Sequence, residues 1–588
     1  MSKIYNKSLV GLTTVNAILL VIIYVLYYRT PISNNDRIKT KLNVHKIIID
    51  TESGKIAGFN QKINDDRMQV FLGIPYAEAP IGKLRFQPPK AKQQWNETID
   101  AVNWPNPCMQ PDQSLQLNNY NFSEDCLYLN IWSPGGNDSL KPVIVVIHTG
   151  AFVFGSASES KYNGLFLAHH AEAIVVTFNY RLNFYGFFYR SNMTDIVPNV
   201  GMLDQVEAFK WIHKYIRYFN GDTNRITLVG QSSAALSIGM HIVSPLSQGL
   251  ISQAIMMSGS PLQVNELNEP EQVDKFWSNY LHYMNCYNTE NMIDCVDSKI
   301  AKNRSRLVSM EMVKQLADDK LFVNIPIMID GHFQPNNPIK LLNNLPKKNL
   351  SILYGYTNDE GSWIAMLEDR EQFGTHIRSH IQSLYQAMST AELFLNKMFT
   401  SLPINKTKII DYYLNHLLKI HTTQMDMTTV DTIILHRIIT NMLGDRYIVC
   451  PMEKFIDSLL ATKNSSIYQY YWQYKGNPRT SIFWNTFQRV WCGKWMGSCH
   501  SFEMFAIFGI PFLQPALFDH SDRLVSMELI QMVKYFIHKR RLPWPMLDIH
   551  HKIFYNIDSD YEKFIFGNNF KNYDCEKTWN NFYSNKST

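Results

Sequence analysis

The chain has 588 residues, 45% hydrophobic and 18% charged, which is enough to bury a large core. Its net charge of +5 is spread over the whole length, without a long Lys/Arg run or an interleaved basic and aromatic tract, so no nucleic-acid partner is expected.

In chain order, a short tail of residues 1–7 leads into residues 8–28, "SLVGLTTVNAILLVIIYVLYY", an uncharged stretch. At 1.5 Å of rise per residue it is long enough to cross the roughly 30 Å of bilayer hydrocarbon. It ends in Leu26, Tyr27, Tyr28 and Arg29 rather than the small residues of a cleavage site, which predicts an uncleaved signal anchor. Charge does not orient it, because Lys3 and Lys7 compete with Arg29, Arg37, Lys39 and Lys41. The remaining chain does. It carries nine N-x-S/T sequons, at Asn96, Asn121, Asn137, Asn192, Asn303, Asn349, Asn405, Asn464 and Asn585, and an even 8 cysteines. An oxidising, glycosylating compartment follows. The expectation is a single-pass membrane protein with a cytoplasmic amino terminus and a large extracellular or lumenal domain over residues 43–580. Residues 29–42 serve as a polar stalk and residues 581–588 as a tail.

Strand-like runs then appear at 44–50, 68–74, 126–132, 143–148, 173–180 and 225–230. The nearly continuous apolar ones, such as "VIVVIH" and "AIVVTFNY", suit strands covered on both faces. Between Val200 and Asn220 the apolar residues Trp211, Ile212, Tyr215 and Ile216 fall at helical spacing, and Glu368 to Cys450 is largely helical in pattern. Strands alternating with helices predict an α/β fold with a mostly parallel central sheet and a helical cap region.

The segment "LVGQSSAAL" at 228–236 has the order strand, tight turn, helix, with Ser232 at the tip. It is almost a G-x-S-x-G nucleophile elbow, with Ala234 in place of the last glycine. Such a turn exposes the serine hydroxyl and needs small residues two positions to either side, here Gly230 and Ala234.

With "FLGIPYAEAPIGKLRF" (71–86), "SEDCLYLNIW" (123–132), "NYRLNFYGFF" (179–188), "GMLDQVEAFKWI" (201–212), "GDTNRITLVGQSSA" (221–234), "SPLSQGLISQAIMMSGS" (244–260) and "NDEGSW" (358–363), the chain resembles the type-B carboxylesterase family. This is the cholinesterase-like branch of the α/β-hydrolases. The resemblance implies a central sheet with helices on both faces, and it implies Ser232 as nucleophile, Glu360 as acid and His500 as base. A serine hydroxyl becomes a competent nucleophile when an imidazole takes its proton and a carboxylate holds that imidazole in the right tautomer.

The family's H-G-G-G-F corresponds to His148-Thr149-Gly150-Ala151-Phe152. The N–H groups of Gly150, Ala151 and Ser233 map to its oxyanion donors. Threonine replaces glycine at 149, which would cost on the order of 1–2 kcal/mol were that position left-handed. The resemblance also implies the disulfides Cys108–Cys126, Cys286–Cys295 and Cys450–Cys575, the ion pairs Arg85–Glu124 and Arg181–Asp204, and a buried Ser258 beside the triad. Cys492 and Cys499 are left as a fourth bridge or as buried thiols. Asn183 and Asn220 replace family glycines. No metal and no cofactor are expected: C-x6-C with one histidine is a poor zinc pattern and H-E-x-x-H is absent.

Cholinesterase-type members hold a quaternary ammonium on a tryptophan inside the first disulfide loop. Between Cys108 and Cys126 this chain has Tyr120 and Phe122 but no Trp, so choline esters are not the expected preferred substrate. Trp363, after the acid, either lines the pocket or packs. The leading functional expectation is a membrane-anchored serine carboxylic ester hydrolase acting on small esters through an acyl-enzyme. The alternatives are a cholinesterase-like adhesion or receptor protein with a homodimer or protein partner, and a sink that binds or slowly hydrolyses a hydrophobic ligand.

Overall fold

The computed structural model describes residues 46–579 apart from 112–120, 136–138, 264–267, 317–324, 343–349, 375–382, 399–405, 422–431, 464, 486–491, 549–551, 559–565, 569–574 and 576–578. The tail, anchor and stalk of residues 1–42, the terminal 581–588, Tyr120, and the sequons Asn137, Asn349, Asn405, Asn464 and Asn585 lie outside the described residues. Among the described residues no helix is long and apolar enough to cross a membrane.

Among the described residues a 13-stranded mixed sheet organises the chain. Its strands are β1 (Lys46–Thr51), β2 (Gly54–Ile63), β3 (Asp66–Pro75), β4 (Ile99–Asp100), β5 (Tyr128–Ser133), β6 (Lys141–Ile147), β7 (Ile174–Phe178), β8 (Gly221–Gln231), β9 (Gln253–Met257), β10 (Leu350–Thr357), β11 (Ser465–Trp472), β12 (Ile553–Ile557) and β13 (Phe566–Asn568). The spatial order is β1-β2-β3-β5-β7-β6-β8-β9-β10-β11-β12-β13, with β4 beside β2. From β7 to β12 every neighbouring pair is parallel, while β1, β2, β3 and β5 form an antiparallel margin.

Parallel strands need crossovers, and these cover both faces. The helices that matter here are α1 (Val200–Tyr215), α2 (Ser233–Val243), α3 (Gly361–Glu368), α4 (Leu384–Met398), α5 (Lys406–His421), α6 (Thr432–Gly444) and α7 (His520–Lys539). The two-residue period of β6 shows the consequence. Val143, Val145 and Ile147 join one core with Val206 and Phe209 of α1 and Leu236 and Ile238 of α2. Ile144 and Val146 join the other with Leu529, Val533 and Phe536 of α7.

The helical region expected from Glu368 onward contains α4, α5 and α6. α6 closes on the carboxyl end of β10, because a Cβ on Gly361 would lie 1.8 Å from the Thr440 carbonyl oxygen. A mostly parallel sheet with helices on both faces fits the α/β-hydrolase fold. The loops after β6, β8, β10 and β11 leave the carboxyl ends of parallel strands, where open α/β sheets bind ligands.

Candidate active site

β8 carries the buried Ile226, Leu228 and Val229 up to the turn. Ser232 then takes φ 58° and ψ −123°, a strained region for a residue with a side chain, and α2 starts at Ser233. The turn is tied to the sheet, since Ser232 N–H donates to the Met257 carbonyl at 2.8 Å. It is also packed on two sides. A Cβ on Gly230 would come 2.8 Å from Ala234 Cβ, and one on Gly259 would come 2.2 Å from the Ser232 carbonyl oxygen. Ala234 lies in α2 without a positive φ, so its methyl is tolerated and Gly230 is the indispensable small residue. Ser232 is half-buried at the tip, between the buried Gln231 and Ser233.

Glu360 follows β10 and His500 lies in the long loop after β11, and the structure brings them together. Glu360 Oε2 meets His500 Nδ1 at 2.5 Å, with side chains 1% and 5% exposed. Two hydrogen bonds hold the loops in register: Asp359 N–H donates to the Ser498 carbonyl at 3.1 Å, and Ser498 N–H donates to the Asp359 side chain at Oδ2, 2.9 Å away. Burial opposes the Glu360 charge, yet the neighbouring His500 and hydrogen bonds from His500, Ser258 Oγ and Thr357 N–H outweigh it and hold the carboxyl below its ordinary value. The partner of His500 Nε2 is Gln231 rather than Ser232: the Gln231 amide nitrogen lies 3.0 Å from it. Trp363 stacks on the His500 ring, with centroids 5.3 Å apart.

Ser258 Oγ lies 2.6 Å from Glu360 Oε1 and 3.0 Å from Glu503 Oε1. Glu503, three residues past His500, is a member of this cluster that the sequence reading did not single out. Burial, reinforced by the Glu360 charge, pushes its carboxyl up to about 7. A single hydroxyl proton cannot serve both carboxylates. The arrangement is satisfied when Ser258 donates to Glu360 and a protonated Glu503 donates to Ser258.

The folded-state value of Glu503 therefore exceeds its ordinary 4.5, so the stability this group contributes is full below about pH 4.5 and is lost as pH rises to about 7. Glu503→Gln, neutral throughout, is expected to reduce the fall in melting temperature between pH 5 and pH 7. Unchanged slopes in a thermal melt series would show that Glu503 is already ionised. Glu360 acts in the opposite sense and at lower pH, where its stabilisation is lost as it protonates.

The loop after β6 carries Gly150 and Ala151, two of the three residues expected as oxyanion donors. Gly150, Ala151 and Phe152 have φ of 136°, 56° and 60°, whereas Thr149 is not among the positive-φ residues. The cost anticipated at Thr149 therefore does not arise. The strain sits at Ala151 and Phe152 instead, and Thr149 N–H donates to Tyr162 Oη at 3.0 Å. Gly150 is required, because a Cβ there would lie 2.0 Å from the Phe154 carbonyl oxygen. Gly150→Ala is expected to displace these donors and lower ester turnover by about 10²–10³-fold, measured as kcat. Both loop N–H groups converge on one atom, Ser233 Oγ, at 3.2 Å from Gly150 and 2.9 Å from Ala151.

Four disulfides are present: Cys108–Cys126, Cys286–Cys295, Cys450–Cys575 and Cys492–Cys499. The last, left open by the sequence, places a bridge directly before His500. Arg181 is bidentate on Asp204 at 2.8 and 2.7 Å, both buried. Arg85 is bidentate on Glu124 at 2.5 and 2.6 Å and also meets Asp297. Phe122 carries the Arg304 guanidinium over its ring at 4.8 Å. Asn183 and Asn220 adopt φ of 57° and 73°, left-handed positions that asparagine tolerates better than most residues with side chains. Asn183 also braces the oxyanion loop, its N–H donating to the Phe152 carbonyl at 2.9 Å. The described sequons Asn96, Asn121, Asn192 and Asn303 are all exposed. Among the described residues no cluster of His, Cys, Asp and Glu is arranged to hold a metal.

Residues 45–576 match the model of the carboxylesterase family. An acetylcholinesterase of Electrophorus electricus is 29% identical over 540 residues, covering 86% of this chain and 81% of the relative. A cholinesterase of Mus musculus is 27% identical over 494 residues, 82% of this chain and 77% of the relative. An acetylcholinesterase of Bungarus fasciatus is 28% identical over 495 residues, with the same two coverages of 82% and 77%.

Proposed function

The chain belongs to the carboxylesterase family, and from that premise we propose that it is a serine carboxylic ester hydrolase working through an acyl-enzyme. The observation that carries this reading is the buried Glu360–His500 pair at 2.5 Å, whose other imidazole nitrogen meets Gln231, the residue next to Ser232. In this mechanism Ser232 Oγ attacks the ester carbonyl carbon as its proton passes to His500 Nε2. Glu360 stabilises the imidazolium, and the carbonyl oxygen becomes an oxyanion held by the N–H groups of Gly150, Ala151 and Ser233. Collapse expels the alcohol, which takes the proton from His500. Water, activated by the same imidazole, then hydrolyses the acyl-Ser232 ester and restores the enzyme.

The small-molecule partner is a carboxylic ester. Choline esters are not its preferred class in this reading, because residues between Cys108 and Cys126 include no tryptophan to receive a quaternary ammonium. Residues 8–28 anchor the protein in a membrane with the large domain on the extracellular or lumenal side, a placement supported by the four disulfides and the exposed sequons. A second reading, a cholinesterase-like binding protein that has given up turnover, draws support from the side chains of Gln231 and Ser233, which hold groups the reaction requires.

The test is rapid-mixing hydrolysis of a short-chain p-nitrophenyl ester by the full chain in mild detergent. The esterase reading expects steady turnover preceded by a burst of about one nitrophenolate per protein, the signature of an acyl-enzyme. A folded protein with no turnover above buffer favours the binding reading.

A further inference from the structure

The residue after the nucleophile is expected to contribute only its backbone N–H to oxyanion binding, a task any residue but proline performs. Here that residue is a serine, and its hydroxyl has a specific location. Ser233 Oγ accepts from Ala151 N–H at 2.9 Å and from Gly150 N–H at 3.2 Å, and Thr149 Oγ1 lies 3.5 Å away. The side chain is buried, at 1% exposure. The point at which two loop donors converge is where the carbonyl oxygen of a bound ester would have to sit. We infer that the Ser233 hydroxyl is a built-in occupant of the oxyanion pocket, which a substrate must displace before Ser232 can attack.

The donors themselves are sound. Gly150 and Ala151 hold the positive φ values that aim both N–H groups at a single oxygen, and the loop is anchored by Val153 and Phe154 N–H donating to the Gly150 carbonyl at 2.9 and 3.1 Å. The pocket is therefore preformed and satisfied rather than collapsed. An alanine at 233 would keep the third N–H donor, leave the two loop donors open, and remove the competing oxygen.

The other flank of the nucleophile behaves alike. Glu360 on Nδ1 fixes the His500 proton there, which leaves Nε2 as the acceptor, and the Gln231 amide donates to it at 3.0 Å. The turn Gln231-Ser232-Ser233 thus keeps both the base and the oxyanion donors engaged, while Ser232 Oγ makes no hydrogen bond among the described residues. Displacement of Ser233 Oγ taxes the binding of every oxyanion-forming ligand by the same factor, because only the fraction of molecules with an open pocket is competent.

This inference rests on the esterase reading above, and one experiment separates their failures. The full chain and its Ser233→Ala variant are compared for p-nitrophenyl ester hydrolysis and for binding of a trifluoromethyl ketone, which forms a tetrahedral oxyanion on the nucleophilic serine. Loss of two competing neutral hydrogen bonds is expected to raise kcat/KM and to tighten ketone binding by the same factor, about tenfold. A gain cannot arise from misfolding. Activity appearing in Ser233→Ala when the unaltered chain has none would support both readings. A Ser233→Ala variant that is equal to or slower than an active parent overturns the pocket occupant and leaves the esterase standing. Two folded but inactive proteins that do not bind the ketone overturn both.

Discussion

Ser232→Ala is expected to lower kcat for a p-nitrophenyl ester by about 10⁶-fold, the scale seen when a serine nucleophile is deleted from an intact triad. The residue sits at φ 58° on a turn fixed from both sides by Gly230 and Gly259, so alanine inherits the same backbone. Its backbone N–H bond to Met257 also survives. The variant should melt with the parent, and the loss is then one of chemistry rather than folding. Equal rates in parent and variant, with equal melting curves, would assign any observed hydrolysis to another group.

The second large effect is expected at Glu360. Glu360→Gln preserves shape but presents an amide to His500 Nδ1, Ser258 Oγ and Thr357 N–H, three positions that now meet carboxylate oxygens. An amide N–H facing Nδ1 drives the imidazole proton to Nε2, the wrong tautomer for taking a proton from Ser232. The expected loss is about 10⁴-fold in kcat with little change in KM, because in the proposed mechanism the carboxylate acts when the imidazolium forms and not in substrate binding. A loss below tenfold would mean that Glu360 positions the loop without supporting the base.

The sequence displayed the middle of the sheet plainly. "VIVVI" and "AIVVTF" are continuous apolar runs because β6 and β7 are covered by helices on both faces. β9, β10, β11 and β12 carry no comparably plain strand pattern. "QAIMM" in β9 is short enough to pass for helix, and "SSIYQYYW" in β11 mixes aromatic with polar residues because Gln469 reaches a buried polar cluster at Glu453. The elbow was legible because its constraint is steric and local. Asn183 and Asn220 were visible as departures from glycine, and their left-handed φ values supply the reason asparagine stands there.

What the sequence could not display was which side-chain atoms meet. Glu360 and His500 are 140 positions apart, and the resemblance alone suggested the pair. Glu503 lacked any signal except its place three residues after His500, since a carboxyl whose proton affinity is raised by burial looks like any other glutamate in a string of letters. Ser233 was counted for its N–H, whereas the position of its hydroxyl depends on a rotamer and on the two loop φ values that aim Gly150 and Ala151 at it.

The measurement that tests the central claim most directly is peptide mass spectrometry of the full chain after treatment with a fluorophosphonate. A serine activated by His500 displaces fluoride and acquires the phosphonyl group, so the adduct is predicted on the peptide containing Ser232, and it should disappear in His500→Ala and after denaturation. A folded, disulfide-bonded protein that remains unmodified at Ser232, or that is labelled equally well without His500, would contradict the account.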